Sequence, residues 1–153
     1  MTHIDLNDLY QDILKDHSKT PHHYGKIESP DLFAEADNPL CGDRVSLMIQ
    51  LDETKHRIQT ICFESSACAI CTASTSMMTD VMIEKDTKTA LDLVGSFRSM
   101  MQGERMDLSL GEEIEALSGV RKFPMRIKCA LLPWMILRDI LQKQINLLGY
   151  KKI

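Results

Sequence analysis

The sequence predicts an α+β fold, a small antiparallel sheet of about three strands packed with helices on one face. Three observations predict it. Residues 45–51 and 57–64 each alternate side-chain character with a period of two. The polar turn Asp52-Glu53-Thr54-Lys55 joins them, so the pair reads as an antiparallel hairpin. From Ala69 onward the period becomes helical.

The elements follow in chain order. Leu6, Leu9, Tyr10, Ile13 and Leu14 recur at helical spacing, predicting a first helix over residues 6–17 with Asp5 as its N-cap; Thr20-Pro21 lies beyond its end. Residues 18–37 hold Pro21, Gly25 and Pro30 and read as an ordered loop, because Tyr24, Ile27, Leu32 and Phe33 interrupt the polar run. The region before Cys41 is the source of a third strand, with a weak pattern. In the first hairpin strand Val45, Leu47, Ile49 and Leu51 alternate with Ser46, Met48 and Gln50. In the second, Ile61 and Phe63 share one face, with Ile58 and Cys62 on the other. Helices are predicted over residues 69–84 and 87–101, the latter stopped by Gly103, and a short one over 112–117 before a turn at Ser118-Gly119-Val120. Pro133 has no N–H for the carbonyl of Cys129, which favours a last helix starting just after that cysteine. Its stripe is Leu131, Trp134, Leu137, Leu141, Ile145 and Leu148.

Composition narrows the function. A chain of 153 residues suits a single domain spanning residues 1–153, large enough to bury a core without staples. The formal net charge of −4 gives no support to nucleic-acid binding, which calls for a basic face. No apolar run approaches the ~20 residues of a membrane span. The N-terminus lacks the basic start and apolar stretch of a signal peptide. A cytoplasmic location is expected. There, five cysteines do not suit a disulfide framework, and their odd number leaves one over.

Three cysteines stand apart from the rest. Cys41 lies in Asn38-Pro39-Leu40-Cys41-Gly42-Asp43, Cys68 in Ser65-Ser66-Ala67-Cys68, and Cys129 in Pro124-Met125-Arg126-Ile127-Lys128-Cys129. Each falls at a predicted element boundary, so the fold can gather them, and Asp43 offers a fourth ligand. Gly42 lets the backbone bend tightly between Cys41 and Asp43. Predicted helix N-termini at Cys68 and Cys129 favour negative charge, and Arg126 and Lys128 push the same way. Three thiolates and a carboxylate suit tetrahedral zinc and also suit iron. Such a site either holds metal or handles sulfur.

Other candidates have plainer readings. Cys62, on a strand, reads as a small core hydrophobe. Cys71 forms Cys-x-x-Cys with Cys68, but no βαβ pattern surrounds it to mark a redox dithiol. His3, His17 and His56 read as surface residues, and His22-His23 as part of the polar loop, none of them metal ligands. Met77, Met78, Met82, Met100 and Met101 read as core filler.

At the three cysteine motifs the chain resembles the IscU/NifU-type family of iron–sulfur assembly proteins, in its SufU branch. Asn38-Pro39-x-Cys41-Gly42-Asp43 is similar to the first cysteine loop of that family. The run from Phe63 to Cys68-Ala69-Ile70, followed by Ala73-Ser74-x-Ser76-Met77-Met78-Thr79, is similar to the second. Gly119-Val120-x-x-Phe123-Pro124-x-Arg126-x-Lys128-Cys129-Ala130-x-Leu132-x-Trp134 is similar to the third. Lys128 stands where IscU carries a histidine. The 129 − 68 = 61 positions between the second and third cysteines leave room for the additional segment of SufU, around residues 95–117.

The resemblance implies that Cys41, Asp43, Cys68 and Cys129 bind Zn²⁺. It further implies a sulfurtransferase-like carrier that takes persulfide sulfur from a pyridoxal-phosphate-dependent cysteine desulfurase and passes it to a downstream iron–sulfur scaffold. Cys41 is then the sulfur acceptor, with Asp43, Cys68 and Cys129 retaining zinc, and Arg126 supports Asp43 or the thiolates from behind. The alternative is a true scaffold, assembling an iron–sulfur cluster on the same ligands; Lys128 argues against it. The chain departs from the pattern at Leu40, where a small polar residue is usual, and at Ser65 and Ala67, where glycines are common. Cys71 stands where serine is usual and is expected to be inert. Pro133 is unusual and is expected to kink the last helix.

Overall fold

The computed structural model describes residues 6–39 and 42–151. The element order is α1 (Leu6–Lys19), β1 (Leu32–Asn38), β2 (Asp43–Leu51), β3 (Ile58–Ser66), α2 (Ala69–Met82), α3 (Thr87–Met101), a 3-10 turn at Leu108–Leu110, a 3-10 helix at Glu112–Lys122, and α4 (Pro124–Lys151). The strands form one antiparallel sheet in the order β1-β2-β3. The predicted α+β class and strand number hold. The expected N-cap Asp5 lies outside the described residues.

The hairpin builds the floor of the core. Val45, Leu47, Ile49 and Leu51 of β2 all point inward and are buried, as their alternation requires. Ile61 and Phe63 of β3 sit opposite Ile49 and Leu47 on the same face. Ile58, expected on the other face, joins them. The register shifts at Gln50/Leu51, so that Leu51 pairs with Ile58 while Gln50 pairs with Thr60. The extra residue is a β-bulge, which turns Ile58 inward beyond it.

The third strand replaces the end of the expected loop. β1 pairs with β2 from Leu32↔Ile49 to Asn38↔Asp43. Its inward side chains, Leu32, Ala34 and Ala36, are half-buried and mostly small, which is why its pattern is faint. On the opposite edge the loop after α1 lies along β3: Gly25 N–H donates to the Phe63 carbonyl at 2.9 Å and Phe63 N–H to the His23 carbonyl at 3.1 Å.

Helix α2 packs between α1 and α4 and is buried on almost every side. Its buried hydroxyls are therefore all bonded. Thr75 donates to the Cys71 carbonyl, Thr79 to the Ser76 carbonyl, and Ser74 to the Ala130 carbonyl of α4 at 2.6 Å. Trp134 Nε1 donates in turn to Ser74 Oγ at 3.0 Å, and the indole stacks on Phe97 of α3 at a centroid distance of 4.0 Å. The methionines predicted as filler are buried. Helix α3 starts on Asp86, whose carboxylate accepts from the Thr89 N–H at 2.8 Å, and that bond holds its pKa below the ordinary value.

Two expectations about the C-terminal half are corrected. The turn at 118–120 is the continuation of the 3-10 helix, which runs to Lys122. The last helix starts at Pro124, with Pro133 inside it. Pro124 supplies the N-terminal proline signal that Pro133 was expected to give. Cys129 therefore sits in the second turn of α4, not at its opening. Among the described residues no helix is long and apolar enough to cross a membrane.

Candidate metal centre

Three of the predicted ligands meet at one end of the fold. Asp43, Cys68 and Cys129 each present a ligand atom, and the three atoms all lie within 4.8 Å of one another. Asp43 opens β2 opposite Asn38, the last residue of β1. Gly42 precedes it at φ +72°, a left-handed conformation that glycine adopts without a Cβ penalty, and its N–H donates to the Asn38 carbonyl at 2.8 Å. The hairpin turn thus fixes the start of β2. Cys41 itself lies outside the described residues.

Cys68 is the N-cap of α2. Its Sγ accepts from the Cys71 N–H at 3.4 Å, and its own N–H donates to Asp43 Oδ1 at 2.7 Å. The thiol lies 3.7 Å from Asp43 Oδ2. The carboxylate therefore grips the backbone of Cys68 and faces its sulfur at the same time. Asp43 is only 1% exposed, so it is a buried acid with a defined partner set. Cys129, also 1% exposed, approaches from α4 and donates to the Met125 carbonyl at 3.5 Å. Arg126 stands over the group. The charge of the Cys68 thiolate foremost, then a hydrogen bond to Cys129, push its pKa above the ordinary value. Lys128 is exposed.

The remaining cysteines are elsewhere. Cys71 is fully buried in the core, one helical turn past Cys68, and Cys62 is half-buried on β3, where burial pushes its thiol pKa up. The described cysteines form no disulfide. His17, expected at the surface, is 4% exposed and bonded on both ring nitrogens. Its sequence neighbours Lys15, Asp16 and Ser18 are polar and carry no sign of that burial.

The donor set passes a chemical test for zinc. Two thiols and a carboxylate, with Asp43 and Cys129 buried and Cys68 half-buried, suit a borderline-soft ion. Phe123 and Met125, at the start of the helix that carries Cys129, are 60% and 54% exposed, and a groove of about 500 Å³ is lined by Tyr10, Leu14, Ile70, Val120, Phe123 and Arg126.

A three-stranded sheet under helices, with cysteine and aspartate donors gathered at one end, defines a class of α+β protein organised around a thiolate–carboxylate site. The chain belongs to the NifU-like N-terminal domain family, whose pattern matches residues 9–130. It is 43% identical over 143 residues to the iron-sulfur cluster assembly scaffold protein IscU of Streptococcus pyogenes serotype M1, covering 92% of this chain and 87% of that protein. It is 41% identical over 141 residues to the zinc-dependent sulfurtransferase SufU of Bacillus subtilis (strain 168), covering 91% and 93%. A crystal structure described as an iron-sulfur cluster assembly scaffold protein for the SUF system of Fervidobacterium islandicum AW-1 superposes with a TM-score of 0.81 at 34% identity, over 90% of this chain and 99% of that one.

Proposed function

We propose that this chain is a cytoplasmic, zinc-dependent sulfur acceptor for iron–sulfur cluster assembly. It takes persulfide sulfur from a pyridoxal-phosphate-dependent cysteine desulfurase and passes it to a downstream scaffold. The observation that carries this reading is the convergence of Asp43, Cys68 and Cys129 within 4.8 Å. Cys41 is two residues before Asp43, so covalent continuity keeps their Cα atoms within ~7.6 Å. It is the natural fourth ligand.

Bound zinc keeps its coordinating thiols deprotonated at neutral pH. The chain's own residues do the rest. Asp43, Cys68 and Cys129 hold the site from a strand start, a helix cap and a helix interior, so the group stays in place when Cys41 departs. The Cys41 thiolate attacks the outer sulfur of the partner's persulfide. A new S–S bond forms at Cys41 Sγ, the partner's S–S bond breaks, and its electron pair leaves on the partner cysteine as a thiolate. The step is redox-neutral. Three thiolates and a carboxylate leave the site net negative even with a divalent ion, and Arg126 offsets that charge. Phe123 and Met125, exposed at the start of α4, give a docking partner apolar contact.

The scaffold reading is favoured by the similarity to proteins named as scaffolds, the Streptococcus pyogenes IscU and the Fervidobacterium islandicum SUF-system protein. Lys128 weighs against it. A protonated ammonium has three donors and no lone pair, so it supplies no ligand in place of the histidine that the scaffold carries before its third cysteine.

The test is Cys41→Ser with a cysteine desulfurase. Sulfur loading of the chain and stimulation of desulfurase turnover are expected to fall by ~100-fold or more, the size of loss expected when a nucleophile is removed. Stimulation unchanged in the variant would overturn sulfur acceptance at Cys41.

A further inference from the structure

Helix α2 has a second polar cluster at its other end. The last turn of α1, the loop after it, the C-terminal half of α2 and the 3-10 helix bring together His17, His22, His23, Asp80 and Glu113. Three of the chain's five histidines are in this one place. Asp80 is twelve positions beyond Cys68, about 18 Å along the helix at 1.5 Å per residue, so the cluster is separate from the cysteine site.

The hydrogen bonds assign the imidazole protons. His17 Nε2 lies 2.6 Å from Glu113 Oε2, and an ionised carboxylate only accepts, so Nε2 carries the proton. Ser76 Oγ accepts the His22 backbone N–H at 2.7 Å and donates to the lone pair of His17 Nδ1 at 2.7 Å, so an ion at Nδ1 must displace the Ser76 hydroxyl. His22 Nδ1 lies 2.6 Å from Asp80 Oδ2, so Nδ1 carries the proton and Nε2 the lone pair. Glu113 thus stands behind His17 as the carboxylate does in carboxylate–histidine–metal triads, fixing ring and tautomer.

We propose that His17, His22 and Asp80 form a second divalent-metal site, selective for a borderline cation of the zinc class. One ligand atom from each lies within 4.8 Å of the others. A tetrahedral ion with bonds of about 2.1 Å wants its ligand atoms about 3.4 Å apart. His22 and Asp80 are exposed and able to rotate inward, while His17 is the buried anchor. His23 lies at the edge of the group, its Nδ1 2.9 Å from Thr79 Oγ1 and 3.5 Å from Asp80 Oδ1. With imidazole and carboxylate donors and no thiol among the described ligands, the site suits Zn²⁺, Co²⁺ or Ni²⁺ rather than a soft ion or a cluster. Its occupation ties the loop after α1 to α2, clamping that loop where it lies along β3.

Cobalt titration of the full-length chain, freed of metal and kept reduced, tests this. The expected result is two equivalents of Co²⁺. One shows intense thiolate-to-cobalt charge-transfer absorption and the other only weak d–d bands. His22→Ala and Asp80→Asn, both at exposed positions, are expected to lose the second equivalent and keep the charge-transfer band. Binding of a single, thiolate-ligated equivalent by the unsubstituted chain overturns the proposal. So does a second equivalent that survives both substitutions. A missing charge-transfer band with a d–d signal sensitive to His22→Ala supports this site and contradicts the cysteine centre, so the two readings fail independently.

Discussion

The two ends of α2 hold polar clusters of opposite character. At the N-terminal end the donors are thiols and a carboxylate drawn from a strand start, a helix cap and another helix. At the C-terminal end they are imidazoles and carboxylates already hydrogen-bonded to each other. The difference teaches that the first cluster has its acid committed to one cysteine's backbone, with sulfur left facing it. The second has its side chains hydrogen-bonded to one another, and a metal bound there takes the place of the direct His22–Asp80 bond.

The largest expected break is at Asp43. Asp43→Ala removes a ligand and the acceptor of the Cys68 N–H, so stoichiometric zinc is expected to be lost. The metal-free protein is expected to lose ~1–3 kcal/mol, read by urea denaturation. A substitution between the two ends separates packing from chemistry. Ser74→Ala orphans Trp134 Nε1 and one bond to the Ala130 carbonyl deep in the core, for a similar loss of ~1–3 kcal/mol in thermal or chemical unfolding. Zinc content is expected to stay near stoichiometric.

Arg126→Ala is expected to be smaller and confined to the cysteine end. The side chain is exposed, so folding stability changes little, while zinc affinity falls ~10-fold in competition with a chelator, with Arg126→Lys recovering part of it. Smallest of all is Cys71→Ser. That thiol is sealed in the core, so zinc content and sulfur loading are expected to remain within ~2-fold, inside the ordinary scatter of context-dependent effects.

The two ends also differ in how far the sequence revealed them. The cysteine end was legible because thiols, glycine and an acid recur in short motifs, and because the hairpin's alternation places Asp43 at a strand start. Its helix positions were less so: Pro133 suggests a helix start just after Cys129, and only the structure shows α4 beginning before that cysteine, at Pro124. β1 was faint because Ala34 and Ala36 carry too little apolar surface to mark a face. Ile58 changed faces through a bulge that alternation cannot register. The histidine end was illegible because His17 is buried purely by tertiary contact, against Ser76 and Glu113, 59 and 96 residues away in sequence.

The most direct measurement of the central claim is metal and sulfide analysis of the protein purified without oxygen, alongside mass spectrometry after incubation with desulfurase and cysteine. The expected result is bound zinc with neither iron nor sulfide, and one added sulfur atom mapped to Cys41. A visible cluster absorbance with stoichiometric iron and sulfide, and no persulfide on Cys41, would contradict it.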